Sequence, residues 1–374
     1  MRVSRFWRQV ASSKVTFTGN KKKHFGELTT QIRNQLSGDQ PLDVEINAST
    51  CVQFETSTAK LLREHVSRFR TLNIRVPMYE TAEALVSSLG GDNPAPLLER
   101  LEIHLDDETY TNYPDFTAFP NSFYPCPQLR HLTIPGEPLP VHTAPHFKNL
   151  TSLTIDAMPF SLFVDLDQIL HILDSTKDLQ HFTYASQDMF NYRRIHTRGT
   201  ISTPHLISAD VTAPGCGLAL LRKLNAPNLT NVRFDGFRKG FYAEEWVETL
   251  TRPISSSLRL LSKRSPNIIH LELRSTEMHK PDADYQWLLS DTAFPRLEVL
   301  RLDGVDITDN RVQLGAGRMP SLKRLELLSI VGISGKGILK FAQGRNQDFE
   351  LLINGCPDVK PEDLAELKKI VKVL

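Results

Sequence analysis

The side chains that most often do chemistry in proteins are scattered along this chain of 374 residues. His142 and His146 form an H-x3-H pair, but Pro145 between them is incompatible with a helix that would direct both at one metal. Residues 332–337 (GISGKG) lack the spacing of a phosphate-binding loop and predict a turn. No nucleophile or zinc-binding motif occurs either. The sequence therefore predicts a protein that is not an enzyme, with no catalytic residue, no metal site and no cofactor.

Cysteine spacing and charge indicate a compartment and exclude two classes of partner. The four cysteines, Cys51, Cys126, Cys216 and Cys356, are dispersed without a C-x2-C pair, which favours reduced thiols over a disulfide framework. The formal net charge is +1, and no apolar run reaches the roughly 18 residues of a membrane span. These features predict a cytoplasmic and/or nuclear protein that binds neither nucleic acid nor membrane.

The first 26 residues are basic and leave a mitochondrial location open as an alternative. Phe6 and Trp7, together with Val3 and Val10, have the spacing of one apolar helix face with arginines beside it. A basic amphipathic helix of this kind is typical of transit peptides. The same pattern fits a short packed helix that belongs to a larger domain.

An internal repeat is the strongest signal in the sequence. The frame P-x-L-x-x-L-x-L recurs, with clear copies that begin at Pro127, Pro227, Pro266, Pro295 and Pro320. Weaker copies begin at Phe69, Leu98, Leu150, Leu179 and Leu206, and a last one begins at Leu351. The mean period is about 28 residues, which falls in the range of leucine-rich repeats.

The repeat frame predicts both the fold and its extent. The two apolar side chains of L-x-L lie on one face of a short strand, which a single strand cannot bury. Stacked copies bury that face together in a parallel sheet, with helices in the return segments. Pro253 is expected to break or kink the helix over residues 243–264, and Pro361 to open the last helix. The predicted class is α/β, a leucine-rich-repeat solenoid with a parallel-sheet horseshoe, helical returns and ten to eleven repeats.

Two sets of residues are candidates for protein binding. The middle residue of each L-x-L points away from the core, and in the second half of the chain these residues alternate in charge: Arg233, Glu272, Arg301 and Glu326. Since neighbouring strands lie about 4.8 Å apart, this column predicts either a salt-bridge ladder or a charged docking groove. The second set is an aromatic insertion with Tyr110, Tyr113, Phe116, Phe119, Phe123 and Tyr124. These side chains either anchor a partner or hold the insertion to its own repeat.

Several segments resemble one known family. Residues 300–309 (LRLDGVDITD) and 351–359 (LLINGCPDV) are similar to the cysteine-containing leucine-rich repeats of F-box proteins. Residues 3–11 (VSRFWRQVA) resemble the closing helix of an F-box. Residues 36–46 (LSGDQPLDVEI) resemble the link between F-box and repeats in fungal F-box/leucine-rich-repeat proteins. The Leu-Pro-x-Glu helix that opens an F-box is not in the sequence, so the resemblance is to a member whose F-box is truncated on its N-terminal side.

This resemblance implies a domain organisation and a function. Residues 1–40 would be a helical remnant of the F-box end plus a linker, and residues 41–374 a solenoid with a C-terminal capping helix. The protein would be the non-catalytic substrate receptor of an SCF-type ubiquitin ligase and would bind a protein substrate. Phe6 and Trp7 would face a Skp-type adaptor, with a cullin as a further partner, if the F-box is completed upstream. The alternative is a free-standing leucine-rich-repeat scaffold with no ligase link, and an enzyme with dispersed catalytic residues is the third hypothesis.

Overall fold

The computed structural model of the protein describes residues 14–18, 40–47, 59, 62–76, 79–91, 93–105, 122–135, 147–157, 166–186, 199–212, 216–236, 244–276, 278 and 280–374. Several residues singled out in the sequence lie outside these described residues: Phe6, Trp7, Tyr110, Tyr113, Phe116, Phe119, His142 and His146. Predictions that depend on those side chains stay predictions.

The chain divides into two compact units, Met1–Leu179 and Gln180–Leu374. The described strands of the first unit are β1 (Lys14–Thr18), β2 (Leu42–Asn47), β3 (Phe69–Val76), β4 (Arg100–Leu105), β5 (His131–Pro135) and β6 (Ser152–Ala157). Each strand pairs in parallel with the strand before it in the chain. The unit also contains the helices α1 (Tyr79–Leu89) and α2 (Leu166–Ser175), and a short 3-10 helix over Val66–Arg68.

The second unit repeats this arrangement with more strands. They are β7 (His181–Ser186), β8 (Ile201–Ser202), β9 (Ser208–Thr212), β10 (Leu224–Asn225), β11 (Asn231–Asp235), β12 (His270–Arg274), β13 (Val299–Asp303), β14 (Arg324–Leu328), β15 (Glu350–Asn354) and β16 (Lys372–Val373). The helices are α3 (Cys216–Lys223), α4 (Glu244–Arg264), α5 (Pro281–Leu288), α6 (Asp309–Gln313), α7 (Gly335–Ala342) and α8 (Pro361–Leu367). In this unit, β8 and β10 pair with each other, and the other strands form a parallel sheet in chain order.

The register of the strands explains why the leucines recur. Leu271 pairs with Leu300, and Leu300 with Leu325, so equivalent leucines stack from strand to strand. All three are almost fully buried. Burying such a side chain contributes about 1.5–3 kcal/mol, which an isolated strand could not gain. The predicted α/β architecture, a parallel sheet with helical returns, is confirmed, and it is compatible with a solenoid-like arrangement.

The proline of the repeat frame begins a turn that is hydrogen-bonded to the equivalent turn of the previous repeat. The N–H of Leu229 donates to the carbonyl of Ala226, the residue before the proline, at 3.0 Å. Proline itself has no N–H that would need a partner there. The residue after the proline links the repeats, because Asn228 Nδ2 donates to the carbonyl of Pro204, one repeat earlier, at 2.7 Å. Both the proline and its neighbour in the P-x-L frame therefore have a structural role.

The strands of the second unit also end alike. The residue after β12, β13, β14 and β15 has a positive φ: 45° at Ser275, 60° at Gly304, 51° at Ser329 and 67° at Gly355. This left-handed conformation favours glycine and costs other residues about 1 kcal/mol or more. It directs the N–H of Ser275 to the carbonyl of Asp303 on the next strand, at 2.8 Å. The equivalent N–H groups of Gly304 and Ser329 donate to the carbonyls of Leu328 and Asn354, so the sheet ladder continues for one residue past β12, β13 and β14.

The structure excludes a break of the helix at Pro253 and confirms the predicted start of the last helix. Pro253 was expected to break or kink its helix, but α4 continues through it as one helix of 21 residues. A proline inside a helix costs about 3 kcal/mol. The residues that follow it, Ile254, Leu258 and Leu261, are fully buried, and their packing outweighs that cost. Pro361 opens α8 as predicted.

Candidate protein-binding surface

The candidate charged residues lie on the face of the second unit's sheet that is opposite the buried leucines. Arg233, Glu272, Arg301 and Glu326 occupy the middle positions of β11, β12, β13 and β14. The strand register makes each one the cross-strand neighbour of the next. Asp210 on β9 pairs with Arg233 in the same way and begins the row. The structure therefore brings all four predicted residues together on one exposed face.

Within this row, each arginine lies between two carboxylates. Arg233 Nη1 is 3.2 Å from Asp210 Oδ2, and its Nε is 3.9 Å from Glu272 Oε1. Arg301 Nε is 3.2 Å from Glu272 Oε1, and its Nη1 is 3.5 Å from Glu326 Oε2. The ladder of alternating charges that the sequence predicted as one alternative is present.

A second row, which the sequence analysis missed, lies two residues further along the strands. Arg274 contacts Glu272 two residues before it, and its Nε is 3.9 Å from Asp303 Oδ2 on the next strand. Asp303 is in turn 4.0 Å from Arg301 Nη2. The signal was available in the sequence, because Arg274 and Asp303 stand two residues after the middle residue of their strands and therefore share its face.

The row extends to the last strands through three further residues. Arg324 Nε is 2.7 Å from Glu326 Oε1, and its Nη1 is 3.7 Å from Glu350 Oε2. Lys372 Nζ is 2.6 Å from Glu350 Oε1. We call the ten linked side chains the outer charge network: Asp210, Arg233, Glu272, Arg274, Arg301, Asp303, Arg324, Glu326, Glu350 and Lys372.

The outer charge network is balanced and partly buried. Its five basic and five acidic side chains cancel, so the network itself attracts neither polyanions nor polycations by net charge. Glu272 and Glu326 are only 8% and 7% exposed. Carboxylates buried to that degree are stable as ions only with cations beside them. The arginines are therefore held in place before any partner arrives, which lowers the entropy cost of binding.

The end of the network at Asp210 differs from its middle. Burial raises the pKa of this carboxyl, and the attraction of Arg233 only partly offsets that effect. Glu272 and Asp235 raise the pKa further by repulsion. Asp210 Oδ1 has no hydrogen-bond partner among the described residues. Asp210 is thus the acid of the row whose burial is least offset by neighbouring cations and hydrogen bonds.

The exposed face of the first unit's sheet is less charged. Its middle residues are Asn73, Glu102, Thr133 and Thr154 on β3 to β6. Asn73 Nδ2 donates to Glu102 Oε2 at 3.0 Å. Beside Asn73, the hydrogen bond from Arg70 lowers the pKa of Asp43. This face matches the small, polar first half of the column in the sequence.

Only the end of the predicted aromatic insertion is described. Phe123 is buried, and its carbonyl accepts a hydrogen bond from the N–H of Ala95 at 3.1 Å. Tyr124, the next residue, is half exposed. Phe123 therefore fits the alternative in which the aromatic side chains hold the insertion to its own repeat.

The glycine-rich segment and the described cysteines have structural roles. Gly335 and Gly337 lie at the start of α7, where an added Cβ would overlap Asp363 and Asp309 respectively. Burial raises the pKa of the Cys126 thiol to about 11, and it also raises the pKa of Cys356. Both thiols are protonated and unreactive at neutral pH.

The described residues show neither a cluster of metal ligands nor a helix that could span a membrane. They contain no group of three or more His, Cys, Asp or Glu side chains that could hold a metal ion. No helix among them has the length and apolar character needed to cross a membrane. In comparisons with known proteins, no family model matches the chain, and no curated protein is significantly similar to it.

Proposed function

We propose that this protein is a non-catalytic protein-recognition module of the leucine-rich-repeat solenoid class, and that it binds its partner on the exposed sheet face of the second unit. The observation that carries the proposal is the alignment of Arg233, Glu272, Arg301 and Glu326 across four adjacent strands. A regular parallel sheet presents these side chains at a fixed spacing, as a binding surface requires.

The balanced charge of the outer charge network favours a protein partner of mixed charge. Complementary charges across an interface contribute specificity and association rate more than affinity. A partner that places a carboxylate over Arg301 and a basic side chain over Asp303 would match the alternation of the network. A nucleic acid would meet as many carboxylates as basic side chains in this network.

The finer proposal is that the module is the substrate receptor of an SCF-type ubiquitin ligase. It is supported by the resemblance of residues 3–11 to the closing helix of an F-box and of residues 300–309 and 351–359 to F-box-associated repeats. In this function Phe6 and Trp7 contact a Skp-type adaptor, a cullin completes the complex, and the exposed sheet face holds the protein substrate. The compartment would be cytoplasmic and/or nuclear, with a mitochondrial location as the alternative.

The second candidate function is a free-standing leucine-rich-repeat scaffold with no ligase link. It is favoured by the location of the outer charge network, since all of its residues lie between Asp210 and Lys372 and none in residues 1–40. Binding at that surface needs no adaptor.

A pull-down distinguishes these two functions. This chain, and the same chain extended upstream in its reading frame, are each incubated with purified Skp adaptor and cullin. The ligase function predicts that the extended chain binds both proteins and that Phe6→Ala with Trp7→Ala weakens the adaptor contact. Binding by neither form would contradict the ligase function and leave the scaffold function.

The recognition proposal has its own test. Cross-linked partners are identified from cells that express the wild-type chain or Arg301→Glu, which reverses a charge at the centre of the row. Partners that depend on the exposed face are lost in Arg301→Glu and retained in Lys177→Glu, which changes an exposed lysine in the first unit. If every partner is retained in Arg301→Glu, binding on this face is wrong.

A further inference from the structure

Two leucines interrupt the outer charge network on β14 and β15, although the network itself continues to Glu350 and Lys372. On β14, Leu328 takes the position that Arg274 and Asp303 hold on the two strands before it. On β15, Leu352 takes the position of Arg301 and Glu326. Both leucines are partly exposed on the face that is charged elsewhere. The exposed face therefore has an apolar end beside Asp303 and Glu326.

A third apolar side chain is displayed in the loop that follows β14. Val331 is 73% exposed, whereas the residue before it, Ile330, is fully buried. The residue after it is also fixed, because the N–H of Gly332 donates to Asp358 Oδ2 at 2.9 Å. The loop is thus anchored on both sides of Val331. We call Leu328, Val331 and Leu352 the apolar end.

Asp303, beside the apolar end, is the acid of the network with the longest contacts. Its two ion pairs, with Arg274 and Arg301, have N–O distances of 3.9 and 4.0 Å. Among the described residues, no hydrogen bond to the carboxylate of Asp303 occurs beside these two ion pairs. Glu326, in contrast, is 2.7 Å from the nearest arginine nitrogen. Asp303 therefore retains capacity to accept hydrogen bonds from a further cation.

We propose that the apolar end and Asp303 together form the docking site for a protein segment in which a lysine or arginine adjoins two or more apolar residues. The apolar side chains cover Leu328, Val331 and Leu352, and the basic side chain donates to the carboxylate of Asp303. A charge-assisted hydrogen bond of this kind is stronger than one between neutral groups. An ionised acidic residue at the same place has no proton to donate to the carboxylate of Asp303 and could not form this hydrogen bond. This inference rests on the proposed function, because it names the partner chemistry of the same exposed face.

The test uses the full chain and three short labelled peptides, with binding measured by fluorescence polarisation. All have a flexible Gly/Ser background, and their central sequences are Leu-Leu-Lys-Lys, Leu-Leu-Glu-Glu and Ser-Ser-Lys-Lys. The first peptide is expected to bind at least about tenfold more tightly than either of the others, since each comparison removes one of the two contacts.

Two substitutions locate the binding site. Val331→Ser and Asp303→Asn are each expected to weaken binding of the Leu-Leu-Lys-Lys peptide by about tenfold. The matched controls are Ile207→Ser, at an apolar residue that is 37% exposed, and Asp348→Asn, at an exposed acid. Both controls are expected to bind like the wild type. Because Val331 is so exposed, its replacement leaves the core intact, and thermal unfolding of every variant checks this.

Several results would overturn the inference. These are preference for the acidic peptide, equal binding of all three peptides, no binding at all, or unchanged binding in both Val331→Ser and Asp303→Asn. Failure of the inference differs from failure of the proposed function. If the binding of partners depends on Arg301 but not on Val331 or Asp303, the proposed function stands and only this docking site is wrong.

Discussion

Arg301 Nε lies 3.2 Å from Glu272 Oε1, across the ladder between β12 and β13. The side chain of Glu272 is 11% exposed and that of Arg301 is 28% exposed, so the pair is largely shielded from water. A carboxylate in that position depends on its cations, because removing one leaves a charge that water cannot fully solvate. This pair therefore links the stability of the sheet to the surface that we propose for recognition.

Replacing Arg301 by Leu is expected to lower the free energy of unfolding by about 1–2 kcal/mol. Glu272 and Glu326 each lose a cation, but each retains another arginine, so the loss is below that of an isolated buried pair. Urea denaturation followed by circular dichroism measures the change. The control is Lys177→Ala, whose ion pair with Asp174 is exposed, and it is expected to change stability by less than about 0.5 kcal/mol. Equal effects of the two substitutions would contradict the prediction.

The turn contacts predict a second stability difference. Asn228→Ala and Asn267→Ala each remove a hydrogen bond to a proline carbonyl of the preceding repeat, at 2.7 and 2.8 Å respectively. Asn267→Ala also removes the hydrogen bond that Asn267 Oδ1 accepts from Arg296 Nη1 at 2.7 Å. Each is expected to cost about 1 kcal/mol in urea denaturation. Gln128 occupies the same position after a proline but is exposed and makes no hydrogen bond within the described residues. Gln128→Ala is therefore the matched control, and a loss as large as that of Asn228→Ala would show that the turn contacts are not the cause.

Gly337→Ala is expected to destabilise the protein, although helices usually prefer alanine to glycine. Alanine is favoured over glycine inside a helix by about 1 kcal/mol. Here, however, a Cβ would overlap the side chain of Asp309 and come within 2.9 Å of its Cα. Asp309 cannot move freely, because it accepts hydrogen bonds from the N–H and hydroxyl of Ser334, each at 2.6 Å. We expect a loss of about 2 kcal/mol from this overpacking, measured by thermal unfolding.

The control for this prediction is Gly344→Ala. An added Cβ there would find its nearest neighbour, Gly317 N, at an ordinary distance of 3.6 Å. Its expected effect is within about 0.5 kcal/mol of zero. A stabilising effect of Gly337→Ala would mean that α7 and Asp309 are not as close as the structure has them.

The pKa of Asp43 is lowered in the folded protein, chiefly by the hydrogen bond from Arg70. A lowered pKa means that the ionised side chain stabilises the folded state above its unfolded pKa, near pH 4, and that this contribution is lost as the pH falls through the folded-state pKa. Asp43→Asn is therefore expected to be less stable than the wild type at pH 7. The difference should shrink below about pH 4 in urea denaturation at a series of pH values.

Asp210→Asn is expected to change the stability at pH 7 in the opposite direction to Asp43→Asn. The pKa of Asp210 is raised by burial, so ionisation at pH 7 costs the folded state free energy that protonation recovers as the pH falls through the folded-state pKa. Asp210→Asn should be at least as stable as the wild type at pH 7, and its advantage should decline as the pH is lowered toward about 4. A clear loss of stability at pH 7 in Asp210→Asn would show that attraction to Arg233 outweighs the cost of burial.

The repeat frame alone was sufficient to predict the parallel sheet, the buried leucines and the partly exposed middle residues. The reason is local: the two-residue period of a strand assigns Leu300 and Leu302 to one face and Arg301 to the other, whatever surrounds them. The order of charges along the column followed in the same way, since strands that succeed one another in the chain are also neighbours in the sheet.

Only the tertiary structure decided how these charges are satisfied. Glu272 and Glu326, on either side of Arg301, belong to other strands, and their distances depend on register and rotamers that no local pattern encodes. The same holds for Asp303, whose long contacts distinguish it from Glu326, and for Val331, whose exposure depends on a hydrogen bond from the next residue to Asp358. Pro253 shows most clearly what a local pattern cannot predict. Packing of the residues after it preserves a helix that local propensity alone would break.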